Sequence, residues 1–227
     1  LQQFVKIPLL STFTLNPPEC WPTSGHISIS GMVLAYRQGL PAVLRGVNVD
    51  IPKGFRVGLV GRTGAGKSSM FGALLALFRN DFGRVCLDGI DTKHVPLAVL
   101  RKAIATIPQT PTLFSGTIRS NLDHSARATD DEIWDALDKV GLSSKVQAFG
   151  GLDFELLDKG SNLSAGEQQL LCIARTIIKK RKIVLIDEAT ANCDPASDQQ
   201  IQQALKHSFK DCTMIVIAHR LDRKSVV

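Results

Sequence analysis

Gly61-Arg62-Thr63-Gly64-Ala65-Gly66-Lys67-Ser68 is the stretch on which the fold of this chain turns. It fits the pattern of glycine, four residues and Gly-Lys-Ser/Thr, and lies between a short strand, Phe55 to Val60, apolar but for Arg56, and a helix-forming stretch, Ser68 to Phe78. Strand, glycine loop and helix make half of a βαβ unit, the setting in which this pattern cradles phosphate. The glycines let backbone N–H groups turn inward without Cβ clashes, and the next helix points its free N–H groups and positive dipole end at the same anion. Lys67 is expected to reach the β- and γ-phosphates as a point charge, and the Ser68 hydroxyl to ligate Mg²⁺. Arg62, Thr63, Ala65 and Ser69 complete the cradle.

Further along, Ile183-Val184-Leu185-Ile186-Asp187-Glu188 sets two carboxylates at the end of four apolar residues. That places Asp187 at the carboxyl edge of a strand, where doubly wound sheets bind ligands, and makes it the expected Mg²⁺ partner of Ser68. Glu188, one residue further, is placed to accept a hydrogen bond from an attacking water. Met214 to Ala218 is a second continuous apolar run of the kind buried in a parallel sheet, and helices are expected over Glu167 to Lys180 and Ala196 to Phe209. On the N-terminal side, Ile27, Ile29, Val33 to Tyr36 and Val43 to Ile51 read as strands of an antiparallel sheet. The block from Arg119 to Gly160 has helical periodicity in Asp131 to Val140.

Composition bounds the class. A chain of 227 residues with 44% hydrophobic and 21% charged residues buries a core without staples. Its apolar runs fall short of the roughly 20 residues that a membrane-spanning helix needs. Cys20, Cys86, Cys172, Cys193 and Cys212 are scattered and form no Cys-x-x-Cys pair, which points away from a disulfide framework or a zinc site and toward a reducing cytosol. The net charge of +6 is dispersed, Lys179-Lys180-Arg181-Lys182 being its one dense cluster, so no nucleic-acid surface is expected. The N-terminus lacks the pattern of a signal peptide, and residues 1 to 25, with Pro8, Pro17, Pro18 and Pro22, read as a linker.

Asn162-Leu163-Ser164-Ala165-Gly166-Glu167-Gln168-Gln169 resembles the ABC signature sequence, standing ahead of the acidic strand as it does in that family. The resemblance covers nearly all of residues 26 to 221. It implies an α/β fold of the phosphate-loop ATPase kind: a mainly parallel core sheet flanked by helices, an antiparallel β subdomain, and a helical subdomain at about 119–165. It also implies ATP and Mg²⁺ as ligands, and hydrolysis powering transport across a membrane. Leu163, Ser164, Ala165, Gly166 and Glu167 would contact the nucleotide of a second, head-to-tail nucleotide-binding domain. Gln109 resembles the glutamine that contacts Mg²⁺ and water and couples to transmembrane domains, His219 the histidine at the γ-phosphate, Asp194 the D-loop aspartate, and Tyr36 the aromatic that stacks on adenine. Cys20 to Gly25, the Tyr36 stretch and the loop through Ser69 look like the second nucleotide-binding domain of C-subfamily, multidrug-resistance-associated transporters. Residues 1 to 25 would then be the tether from a transmembrane domain, at the cytoplasmic face of a membrane.

Three positions depart from the family pattern. Glu167 stands where the signature usually has Gln, adding a negative charge that suits the helix dipole by about 0.3–1 kcal/mol but lies near the partner's phosphates. Ala191-Asn192-Cys193-Asp194 keeps only the last residue of the usual D-loop, and the chain stops at Val227 where the family continues, so a truncated end is expected. Two other readings share the motifs: a soluble ABC ATPase acting on nucleic acid or ribosomes, and a non-hydrolytic clamp. The former often carries coiled-coil insertions or a tandem cassette, and neither is visible in this sequence.

Overall fold

The computed structural model describes residues 15–37, 39–78, 82–190 and 193–218. Four parallel strands form its central layer: β3 (Arg56–Val60), β6 (Ile104–Ile107), β9 (Ile183–Asp187) and β10 (Thr213–Ala218), in the order β3-β10-β9-β6. Successive side chains on a strand point to opposite faces. In β9, Ile183 and Leu185 enter one apolar core, whereas Val184 and Ile186 enter a second. A sheet buried on both faces has no polar side to show, which is why this strand reads as an unbroken apolar run.

The first core lies under an antiparallel sheet of order β2-β1-β4-β5, built from β1 (Ile27–Leu34), β2 (Leu44–Ile51), β4 (Phe82–Leu87) and β5 (Ile90–Asp91). Met70, Phe71, Ala73 and Leu74 of α1 (Lys67–Leu74) share it, as does Leu100 of α2 (Leu97–Ala103). β1 is one strand and not the two segments that alternation implies. Its register shifts between Ile29 and Met32 around Gly31, at φ 58°, and the shift moves the buried positions from Ile27 and Ile29 to Met32 and Leu34. Trp21 packs in this core and donates from Nε1 to the Leu87 carbonyl at 3.0 Å. Asp88, itself at φ 47°, accepts hydrogen bonds from the Ser24 amide, the Ser24 hydroxyl and the His26 amide. These contacts pin residues 21–26, while residues 1–14 of the stretch read as a linker lie outside the described residues.

The second core is helical. α3 (Ile118–Leu122), α4 (Asp130–Lys139), α5 (Ser143–Ala148), α6 (Ala165–Ile178) and α7 (Pro195–Ser208) cover the other face of the parallel sheet, and a small antiparallel ribbon of β7 (Gly116–Thr117) and β8 (Glu155–Leu156) borders them. α4 and α6 begin with complete capping boxes, Thr129 with Glu132 and Ser164 with Glu167, which satisfy donors that a helix N-terminus leaves open. α1 departs from expectation by ending at Leu74 and not running on to Phe78. Ala76 takes a left-handed φ of 47°, and the Leu77 amide bonds back to the Gly72 carbonyl at 2.8 Å. Between α1 and β6, β4 and α2 are elements that the sequence pattern does not announce.

Candidate nucleotide-binding site

Parallel strands point one way, so the segments that leave their carboxyl ends emerge at one rim. Gly61 comes directly after β3, Asp187 ends β9 with Glu188 next after it, and Gln109 stands two residues past β6. His219, next after β10, lies outside the described residues, as do Ala191, Asn192 and the stretch to Val227.

At the β3–α1 turn, Gly64 and Gly66 take φ 81° and 90°, a region that side chains disfavour. A Cβ on Gly66 would also stand 3.1 Å from Val43 Cγ1 and 3.2 Å from Leu44 Cδ2. Gly61, Arg62, Thr63, Gly64, Ala65 and Ser68 are exposed, whereas Gly66, Lys67 and Ser69 are buried. The Lys67 ammonium curls into its own loop, donating to the Gly61 carbonyl at 2.7 Å and the Arg62 carbonyl at 3.0 Å. No acidic residue occupies the first turn of α1, so its N–H groups and dipole remain available to an anion. Tyr36 reaches this helix from the loop after β1, its hydroxyl 2.7 Å from Ser69 Oγ, with half of its surface exposed.

Across the rim, the Gln109 amide donates from Nε2 to Glu188 Oε2 at 3.0 Å. Glu188 holds φ 40°, a strained conformation for a residue with a Cβ, and its amide bonds to the Ile217 carbonyl. Gln169 of α6, fully buried, donates to the Pro108 carbonyl at 3.1 Å and fixes the segment carrying Gln109. The Ser68 hydroxyl, the Asp187 carboxylate and the Gln109 amide oxygen offer hard oxygen donors, and that donor set fits Mg²⁺.

Ser164 caps α6, and Glu167 serves that cap. Its amide bonds to Ser164 Oγ, its Oε2 accepts from the Ser164 amide at 2.8 Å, and its Oε1 pairs with the Lys145 ammonium of α5. The extra charge expected near a partner's phosphates is thus met within the chain. Leu163 is buried and Ala165 exposed, while Gly166 lies directly against Ser197 of α7. Asp194 caps α7, accepting from the Ala196 and Ser197 amides and from Ser197 Oγ, and the Ser197 hydroxyl in particular holds its carboxyl below the usual range. Among the described residues, no hydrogen bond or ion pair joins Ser164–Glu167 to the Gly61–Ser69 loop. Lys145, Ser197 and Phe78, which touches Tyr36, belong to no motif and are not legible as site residues in the sequence, and Gln169, although it closes the signature stretch, shows its role toward Pro108 only in the fold.

A phosphate loop at the rim of a parallel sheet, an acidic strand end two strands along the same rim and a serine-capped helix in a separate helical layer define a nucleotide-binding domain of the ABC type. Residues 44–191 match the family model described as ABC transporter, and the chain belongs to that family. It is 48% identical over 202 residues to "ATP-binding cassette sub-family C member 10" of Mus musculus, covering 89% of this chain and 14% of that protein. It is 44% identical over 208 residues to "ATP-binding cassette sub-family C member 4" of Homo sapiens, covering 91% and 16%. Among solved structures, one described as a bacterial Atm1-family ABC exporter with ATP bound superposes with a TM-score of 0.80 at 32% identity, covering 88% of this chain and 35% of that one. The chain thus spans about one-seventh of the curated relatives' length. Among the described residues, no helix is long and apolar enough to cross a membrane.

Proposed function

We propose that this chain binds ATP with Mg²⁺ and hydrolyses it to power substrate transport across a membrane, as the C-terminal nucleotide-binding domain of a C-subfamily transporter. The observation that carries the proposal is the Gln109–Glu188 hydrogen bond, which sets an amide and a carboxylate together at the rim that also holds the Gly61–Ser69 loop. Adenine stacks on Tyr36, the phosphates lie on the loop's backbone N–H groups and Lys67, and Ser68, Asp187 and Gln109 would hold the metal. Mg²⁺, when bound, supplies charge neutralisation at the β- and γ-phosphate oxygens. Glu188 accepts a hydrogen bond from a water whose oxygen bonds to the γ-phosphorus as the bond to the β–γ bridging oxygen breaks, giving ADP and phosphate. The protein's share is positioning and charge stabilisation, with His219 assigned to the γ-phosphate.

Leu163 to Glu167 face the nucleotide of a second domain arranged head to tail. Among the described residues their side-chain bonds stay within the signature helix or reach Lys145, which accords with that division into two half-sites. Residues 1–25 lead in as the tether from a transmembrane domain, its last residues from Trp21 docked onto the domain core, residues 26–227 are the nucleotide-binding domain, and residues 119–165 its helical subdomain, all at the cytoplasmic face. The test is Mg²⁺-dependent phosphate release from ATP by this domain, alone and with a partner domain. Glu188→Gln lowers turnover by about 100-fold or more and retains ATP binding. Turnover kept in that variant sinks the assignment of Glu188, and a wild type that never releases phosphate sinks the hydrolytic reading.

A further inference from the structure

The reversal at the end of α1 folds Phe78 back over the helix that the chain has just left. Continued helix would carry residue 78 onward by 1.5 Å per residue. The left-handed Ala76 and the Leu77-to-Gly72 hydrogen bond instead lay the Phe78 ring against Gly72, where an added Cβ would sit 2.6 Å from Phe78 Cδ2. The same ring meets Tyr36 edge to face, with centroids 4.8 Å apart and planes at 89°, an arrangement aromatic quadrupoles favour. Tyr36 is therefore gripped at two points, its ring by Phe78 and its hydroxyl by Ser69, and both grips come from α1 and its exit turn. A half-exposed tyrosine outside regular strand has no other anchor among the hydrogen bonds and ring contacts of the described residues.

We propose that Phe78 is a positioning residue for the nucleotide base: it holds the Tyr36 ring in the pose on which adenine stacks, and Gly72 is the bare seat that lets it do so. The inference rests on the reading of Tyr36 as the base platform. A platform ordered beforehand removes from binding the entropic cost of fixing that side chain. Phe78 has no role toward the phosphates, which depend on the Gly61–Ser69 backbone and Lys67, so its contribution separates base from phosphate.

The experiment is calorimetric titration of the 227-residue chain with ATP and, separately, with inorganic tripolyphosphate, both with Mg²⁺. Phe78→Ala weakens ATP binding about threefold to tenfold, the range an aromatic pair sustains, and leaves tripolyphosphate within about twofold. Gly72→Ala acts in the same direction by displacing the ring. Phe78→Leu, which fills the seat without a ring, keeps the test open if the alanine variant fails to fold, and it has no further effect in a Tyr36→Ala background. Unchanged ATP affinity in the Phe78 variants overturns the inference. So does an equal loss for both ligands, which marks a disturbed α1, or a Phe78→Leu effect that persists without Tyr36. If the wild type binds ATP and tripolyphosphate alike and Tyr36→Ala is silent, the base platform itself is refuted and Phe78 with it, a result distinct from silence at Phe78 alone.

Discussion

Replacing Gly166 by alanine tests how the signature helix is seated. A Cβ at that position would stand 2.5 Å from Ser197 Cβ and still closer to Ser197 Oγ, and the Ser197 hydroxyl is itself held by Asp194 at 2.6 Å. Neither helix yields easily, because α6 and α7 both bury apolar faces in one core. Overpacking of this kind costs about 1–3 kcal/mol, against a gain of at most about 1 kcal/mol from exchanging glycine for alanine in a helix. With the full gain subtracted the net loss is up to about 2 kcal/mol, or up to about 8 °C in Tm for a chain of this size. Ser197→Gly removes the obstructing atoms at its own cost of about 1–1.5 kcal/mol in helix propensity and one hydrogen bond. The double variant is consequently no less stable than Ser197→Gly alone. Thermal denaturation followed by circular dichroism reads all four proteins. A Tm raised by Gly166→Ala, or losses that simply add in the double variant, refutes the close contact.

Burial alone pushes the Asp88 carboxyl up, but the hydrogen bonds from the Ser24 hydroxyl and from the Ser24 and His26 amides together hold it below its usual value. A depressed folded pKa gives stability that is present above the unfolded value of about 3.9 and lost as pH falls through the folded one. Asp88→Asn therefore lowers stability at pH 7, by no more than about 1 kcal/mol because solvent screens the partly exposed carboxylate, and flattens the acid limb below about pH 4, as a urea-denaturation series against pH reads out. Gln109→Ala removes the amide that meets Glu188, so phosphate release falls while nucleotide affinity, measured by titration, changes much less. Lys145→Met leaves Glu167 unpaired at the signature; it costs less than about 1 kcal/mol in stability but weakens ATP-dependent pairing with a partner domain, and Glu167→Gln cancels the effect, whereas a loss that survives Glu167→Gln refutes the charge-balance account.

The features legible in the sequence rest on local rules. The glycine pattern between an apolar strand and a helix leaves few alternatives, since glycine backbone freedom and the free N–H groups of a new helix are properties of the chain itself. β9 and β10 announce themselves because burial on both faces enforces unbroken apolar runs. β4 stays hidden because Phe82, Gly83 and Arg84 interrupt its pattern and its partner β1 is about fifty residues away in sequence. α2 is equally silent because seven residues behind Pro96 are too few to display a helical period. The bulge at Gly31 makes β1 look like two strands by changing which residues face inward partway along it.

Residue order alone was enough for the phosphate loop, the acidic strand end and the serine-capped helix, because each is a local device in which residue type dictates backbone behaviour over fewer than ten positions. It took the folded chain to bring Gln109 to Glu188 across two strands, to set Lys145 against the charge of Glu167, to make Ser197 demand glycine at 166, and to turn Phe78 back onto Tyr36. Each of those pairs joins residues from different segments through hydrogen bonds, charge or van der Waals contact. Such forces act over a few ångströms of space, whatever the separation along the chain, and no local pattern records them.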